Sequence, residues 1–283
     1  MIKITECPRD AMQGLPDFIP TQDKIDYLNL LLKVGYHRID FGSFVSPKAI
    51  PQLADTAQVI DLLDTDGSRS ALLAIVANAR GAREAAEFDK VDVMGFPFSV
   101  SETFQKRNTN RSIAESLSTV EDIVTICSGR KKIPLVYLSM GFGNPYGDPW
   151  NFEVVAGYAE QLIQLGISEL VLADTVGMSN AENIEYLYPK LKNEFPHASW
   201  ALHLHSTPDT AVEKLESALR AGCEFFDTTI RGYGGCPMAE DVLTGNLPTE
   251  SLIGLIQSKH PNSLDLDMEA LNRAQKFSLK IFH

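Results

Sequence analysis

Short runs of β-branched and aliphatic residues recur along the chain, and between them lie longer stretches whose apolar positions repeat at helical spacing. That alternation is what βα units around a parallel sheet require. A strand covered on both faces reads as a continuous apolar run, while a covering helix is apolar on one side only. Predicted strands open at Ile2, Tyr36, Ala71, Val91, Ile133, Leu170, Trp200 and Phe225, and helices fill the intervals. A helix is expected from about Ala79, and Thr21 and Pro149 carry start signals for the first and fifth helices. Eight such rounds suffice to close a barrel. An open doubly wound sheet would carry a glycine-rich turn after its first strand, and here that turn reads E-C-P-R-D-A-M-Q. The expected fold is therefore α/β: one (β/α)8 TIM barrel of parallel strands over residues 1–283, with C-terminal helices from about 248.

Composition narrows the partners. A formal net charge of -12 argues against nucleic acid, because binding a phosphate backbone needs clustered Lys and Arg to displace counterions. No apolar run reaches membrane-spanning length, and the opening M-I-K-I-T predicts a strand from the first residues with no leader peptide. Cys7, Cys127, Cys223 and Cys236 lie far apart, without a zinc-type pair spacing. Reduced thiols in a cytoplasmic protein fit that pattern.

In a barrel the chemistry sits at the C-terminal ends of the strands, which reduces the search to a few short places. The sharpest is H-L-H at 203–205, since side chains two apart on a strand share a face and His203 and His205 can converge on one metal. Asp10 and Arg9 follow the first strand and would bring a carboxylate and a guanidinium to the same mouth. Two imidazoles, a carboxylate and open positions for oxygen suit Mg²⁺ or Mn²⁺, with Zn²⁺ less well matched. After the eighth strand, R-G-Y-G-G-C-P surrounds one cysteine with glycine. Gly232, Gly234 and Gly235 permit a mobile lid that could carry Cys236 inward as proton donor or nucleophile. Asp40 and Asp174 fall near strand ends, where each either orients reacting groups or caps the following loop. Cys7, Cys127 and Cys223 read as buried structural thiols, and His37, His197, His260 and His283 as structural or solvated.

Together these residues resemble the 3-hydroxy-3-methylglutaryl-CoA lyase family, a branch of the DRE-TIM metallolyases. The resemblance runs through P-R-D-x-x-Q at 8–13, S-F-V-S-P-K-A-I-P-Q at 43–52, S-E-T-F-Q-K-R-N at 101–108, D-T-V-G at 174–177, H-L-H, G-G-C-P and G-N-L-P-T-E. It implies cleavage of an acyl-CoA substrate, 3-hydroxy-3-methylglutaryl-CoA, to acetyl-CoA and acetoacetate. It also implies metal ligands at Asp10, His203, His205 and Asn246, with His203 or Asp10 as base, Arg9 facing the thioester enolate and Cys236 protonating it. Gln13, Asp40, Tyr137 and Asp174 would form the supporting shell, in a homodimer serving leucine breakdown. Several positions depart from the family pattern: Ser206 stands where Asp is usual, Ala11 and Met12 where Gly and Leu are usual, Asp40 where Glu is usual, and one extra residue lies between Cys236 and Asn246. A related aldolase or Claisen condensing enzyme, or a metabolite-binding barrel without catalysis, would carry many of the same residues.

Overall fold

The computed structural model describes residues 2–235, 244–259 and 263–282. The parallel strands are β1 (Lys3–Glu6), β2 (Arg38–Ser43), β3 (Ala71–Ile75), β4 (Val93–Ser99), β5 (Ile133–Ser139), β6 (Glu169–Asp174), β7 (Ser199–Ser206) and β8 (Phe225–Thr228). Each pairs with its neighbours in chain order, β8 returns to β1, and the barrel is closed. A two-residue strand, β9 (Gly245–Asn246), adds antiparallel to β7 at the mouth, with Asn246 opposite His205.

Eleven helices lie among the described residues. The first β–α connection holds α1 (Pro8–Gln13) and α2 (Thr21–Leu32), followed by α3 (Thr56–Leu62) and α4 (Ala79–Ala86). Next come α5 (Glu102–Thr109), α6 (Ile113–Arg130), α7 (Phe152–Gln164), α8 (Ala181–Glu194) and α9 (Ala211–Arg220), then α10 (Thr249–Lys259) and α11 (Met268–Ile281). Local chemistry fixes several starts. The side chains of Asn78, Ser101, Ser112 and Asn180 accept backbone N–H groups in the first turns of α4, α5, α6 and α8, which would otherwise lack partners. The fifth unit departs from the sequence expectation: Asn151, not Pro149, caps α7, its side chain accepting Val154 N–H at 2.8 Å. A carboxamide can accept that bond and a proline ring cannot.

Strand alternation sorts side chains into two cores. Leu72, Ala74, Leu170, Leu172, Leu202 and Leu204 are buried outward among the helices. Leu73, Ile75, Val93, Leu135, Tyr137 and Val171 form a smaller cluster inside the barrel. The inner cluster is a packed plug, and polar side chains begin one layer above it.

Candidate metal centre and active site

On β7 the outward positions are Leu202 and Leu204, so His203 and His205 face the interior, with their Nε2 atoms 3.3 Å apart. The other ring nitrogens decide what those Nε2 atoms offer. His205 Nδ1 lies 3.0 Å from the Thr175 carbonyl, which only accepts, so Nδ1 carries the proton and Nε2 presents a lone pair. His203 Nδ1 faces Asp227 Oδ2 at 3.2 Å, with the same consequence for the neutral ring. Two lone pairs at this separation repel unless they share a proton or a metal ion. Donors roughly 2.1 Å from one ion and at right angles would lie about 3 Å apart, so the observed gap fits a shared metal. Asp10 completes the set: one ligand atom each from Asp10, His203 and His205 lie within 4.8 Å of one another, all three residues buried.

Asp10 reaches this position because α1 begins immediately after β1, with Pro8 pre-set for its first turn. Its Oδ1 accepts from Arg9 Nη1 at 3.1 Å and from Gln13 Nε2 at 2.8 Å, and its Oδ2 accepts from Asn246 Nδ2 at 2.7 Å. Asn246 Nδ2 also donates to the Tyr233 carbonyl at 3.0 Å, which ties β9 to the loop that precedes it. Arg9 grips Asp40 through Nε, at 3.1 and 3.0 Å, and through Nη2 at 2.5 Å, and its Nη1 donates to Gln13 Oε1 at 2.9 Å. Tyr137 stands edge-on to His203, with ring centroids 5.9 Å apart.

Burial and charge oppose each other throughout this cluster. For Asp10, desolvation works to raise the carboxyl, but Arg9, the two imidazoles and Asn246 together hold it below the ordinary carboxylate range. Burial favours the neutral form of both histidines. For His203 the Asp227 hydrogen bond and the nearby charges of Asp10 and Asp227 outweigh it and raise the ring, whereas His205 is pushed down to about 4 by burial and by His203. Asp40 rises to about 6 because burial exceeds the pull of Arg9. Cys7, close to His203 and Asp227, is held as a thiol well above its usual range, first by burial and then by the surrounding carboxylates.

The cluster forms one side of a cavity of about 390 Å³ at the strand C-termini. Its other side is largely apolar, with Val45, Ala49, Ile50, Ile75, Ala77 and Phe104, and Arg107 and Asn108 of α5 at the edge. This is the size and character of a small-molecule site with a few convergent polar groups. Gly234 packs against α1: at φ +88° it lies so close that a Cβ would meet Ala11 Cα at 2.6 Å. Glycine here permits tight packing beside Asp10. Cys236, with residues 237–243, lies outside the described residues.

The structure thus brings Arg9, Asp10, Gln13, Asp40, Tyr137, His203, His205 and Asn246 together. Asp174 is different: it shares the outward parity of Leu170 and Leu172, and its Oδ2 accepts from Ser179 N–H and Oγ and from Lys214 Nζ, behind the cavity wall. It caps the following loop through Ser179, and it also bears on His205, through Lys214 and through its charge. Sequence reasoning passed over Asp227, which lies inside the F-F-D-T-T strand and pairs in register with His203. It also passed over the α5 residues, although their motif had been noticed.

Fold and site together define a (β/α)8 barrel with a buried carboxylate–imidazole–guanidinium centre at its catalytic face. The chain belongs to the HMGL-like family, whose model matches residues 2–277. It is 36% identical to the hydroxymethylglutaryl-CoA lyase YngG of Bacillus subtilis, over 88% of this chain and 83% of that protein. The HMG-CoA lyase of Brucella melitensis superposes with a TM-score of 0.91 at 31% identity, covering 99% of this chain and 98% of its own. A lyase from Acinetobacter baumannii, solved with coenzyme A and 3-methylmalate, gives a TM-score of 0.91 at 28% identity, covering 99% and 91%. No helix among the described residues is long and apolar enough to cross a membrane.

Proposed function

We propose that this protein is a divalent-metal-dependent carbon–carbon lyase that cleaves 3-hydroxy-3-methylglutaryl-CoA to acetyl-CoA and acetoacetate. The observation that carries the reading is the convergence of Asp10 with two outward-bonded imidazoles whose free nitrogens face one point. The names of its relatives, and the coenzyme A held by one of them, supply the substrate. Residues 1–283 are taken as one lyase unit.

Asp10, His203, His205 and Asn246 would hold Mg²⁺ or Mn²⁺, and the ion's contribution is Lewis acidity that makes a substrate hydroxyl easier to deprotonate. The hydroxyl proton goes to Asp10 or His203; because His203 Nδ1 keeps its proton for Asp227, the ring can take it only at Nε2 when that nitrogen is off the ion, and Asp227 and Asp10 then stabilise the protonated form. As the carbon–carbon bond opens, the hydroxyl carbon becomes the ketone of acetoacetate and the electron pair passes to the thioester fragment. Arg9, kept charged by Asp40 and Asp10, opposes the negative charge growing on that fragment's oxygen. Cys236 then gives its proton to the enolate carbon, producing acetyl-CoA. The apolar wall of Val45, Ile50, Ile75 and Ala77 excludes water from the same space. A homodimer in the cytoplasm, acting in leucine breakdown, completes this reading, and light scattering that returns a monomer mass would remove the dimer.

Acetoacetate release should be abolished by a chelator and restored by added Mg²⁺ or Mn²⁺. In the same assay, Cys236→Ala should lose turnover by at least about 10²-fold while KM changes little. A wild-type protein that releases no acetoacetate with any divalent ion would leave a binding protein as the reading.

A further inference from the structure

The polar network does not stop at the cavity wall. On the helix side of β6 and β7, Lys214 lies in the first turn of α9 and is only 4% exposed. An ammonium is disfavoured there twice over, by burial and by the positive end of the helix dipole, so it needs good partners. It has three, one for each N–H: the His205 carbonyl at 2.7 Å, Asp174 Oδ2 at 3.1 Å and the Gly177 carbonyl at 3.3 Å. His205 is therefore held twice against the loop that follows β6. Its ring donates to the Thr175 carbonyl, and its backbone is tied through Lys214 to Asp174 and Gly177. Asp174 is itself fixed by Ser179, whose N–H and hydroxyl both reach Oδ2.

We infer that Lys214 is a positioning residue for the metal centre. Its ammonium fixes the end of β7 relative to residues 174–177, and so sets the 3.3 Å spacing of the two imidazole nitrogens that would share an ion. Lys214 touches no substrate; it acts through His205. This rests on the metal-centre reading given above.

The test is manganese affinity of the full-length protein, measured by the electron paramagnetic resonance signal of free Mn²⁺, beside kcat and KM at saturating Mn²⁺. Lys214→Met should weaken Mn²⁺ binding about tenfold or more and lower kcat, with KM for the acyl-CoA within about twofold, because the apolar wall is untouched. Lys214→Gln, too short to reach all three acceptors, should do the same and serves if the methionine variant does not fold. The double variant Lys214→Met/Asp174→Asn separates positioning from simple charge pairing. Removing the stranded acid should recover thermal stability and leave Mn²⁺ affinity low. Recovery of both, or unaltered affinity in a folded single variant, overturns the inference. A wild-type protein that binds no Mn²⁺ overturns the metal-centre reading and this inference with it.

Discussion

Strand β2 places two side chains inside the barrel one layer apart, Arg38 at the floor and Asp40 at the mouth, and each belongs to an arginine–carboxylate pair. At the floor, Arg38 Nη2 meets Glu169 Oε2 at 2.7 Å, Glu169 being part-exposed, and Arg38 Nε has no hydrogen-bond partner among the described residues. At the mouth, Arg9 engages two carboxylates and an amide oxygen, all held by α1 and β2, and its guanidinium lines the cavity. The floor pair neutralises charge where the barrel meets solvent. The mouth pair is preorganised: its donors are fixed before any ligand arrives, so they lose little on meeting developing charge. The same two residue types thus serve stability in one layer and chemistry in the next.

The sharpest way to break this comparison is at Arg9. Arg9→Lys keeps the charge but cannot reproduce the planar fork that spans Asp40, Asp10 and Gln13. It should lower kcat by about 10²–10³-fold, the usual cost of losing a preorganised donor at a developing oxyanion. Steady-state kinetics at saturating metal check this, and a lysine variant within fivefold of wild type would return Arg9 to a structural role like that of Arg38.

Much of this layer structure was legible in the chain. Eight short runs announced the barrel because strands covered on both faces are mostly apolar and are separated by amphipathic helical stretches, and their starts agree with the structure to within a few residues. H-L-H and R-D were legible because strand parity alone aims the histidines, and Arg9 and Asp10 follow the first strand too closely to leave the mouth. Residues whose meaning depends on tertiary register were not. Asp227 reads as an isolated acid until β8 is set beside β7, although its parity within F-F-D-T-T was a usable signal. Lys214 lies in E-K-L-E on an amphipathic helix, which reads as a solvated face until the helix is docked. Asn246 was reachable only through the family resemblance, because it pairs through a strand of two residues, too short to leave a pattern.

A further buried acid sharpens the comparison, because its hydrogen bonds come from neutral donors. Glu6 faces outward from β1, accepting from Ile230 N–H at 2.7 Å and from Thr249 Oγ1 at 2.6 Å. Burial raises its carboxyl to about 8 against those bonds, so the protonated form prevails at neutral pH and can donate to Thr249, whose hydroxyl lies 2.7 Å from that of Thr228. The sign follows from proton counting. Between the ordinary carboxyl value of 4.5 and about 8, the folded protein holds a proton that the unfolded chain has released, so stability falls as pH rises through this window. The total is on the order of 5 kcal/mol. Glu6→Gln should flatten the decline in thermal midpoint between pH 5 and pH 8, making the variant relatively more stable at pH 8. An unchanged slope would mean that Glu6 is ionised in the fold.

The smallest effect belongs to the floor. Arg38→Met removes the cation and leaves Glu169, which is about a quarter exposed and can therefore stay hydrated. Breaking a fully buried pair costs about 3–5 kcal/mol because the surviving charge is stranded, whereas exposed pairs contribute about 1 kcal/mol or less. The floor pair lies between these cases, and the unsatisfied Arg38 Nε already reduces what the arginine contributes. A loss of about 1–2 kcal/mol is expected, read as a shift in the denaturant midpoint, with kcat and KM unchanged because the plug of Leu73, Val93, Leu135 and Val171 separates floor from mouth. Adding Glu169→Gln should recover most of that loss. If Arg38→Met instead lowered kcat, the plug would be transmitting strain from floor to mouth, and the two arginines could no longer be treated as separate devices on one strand.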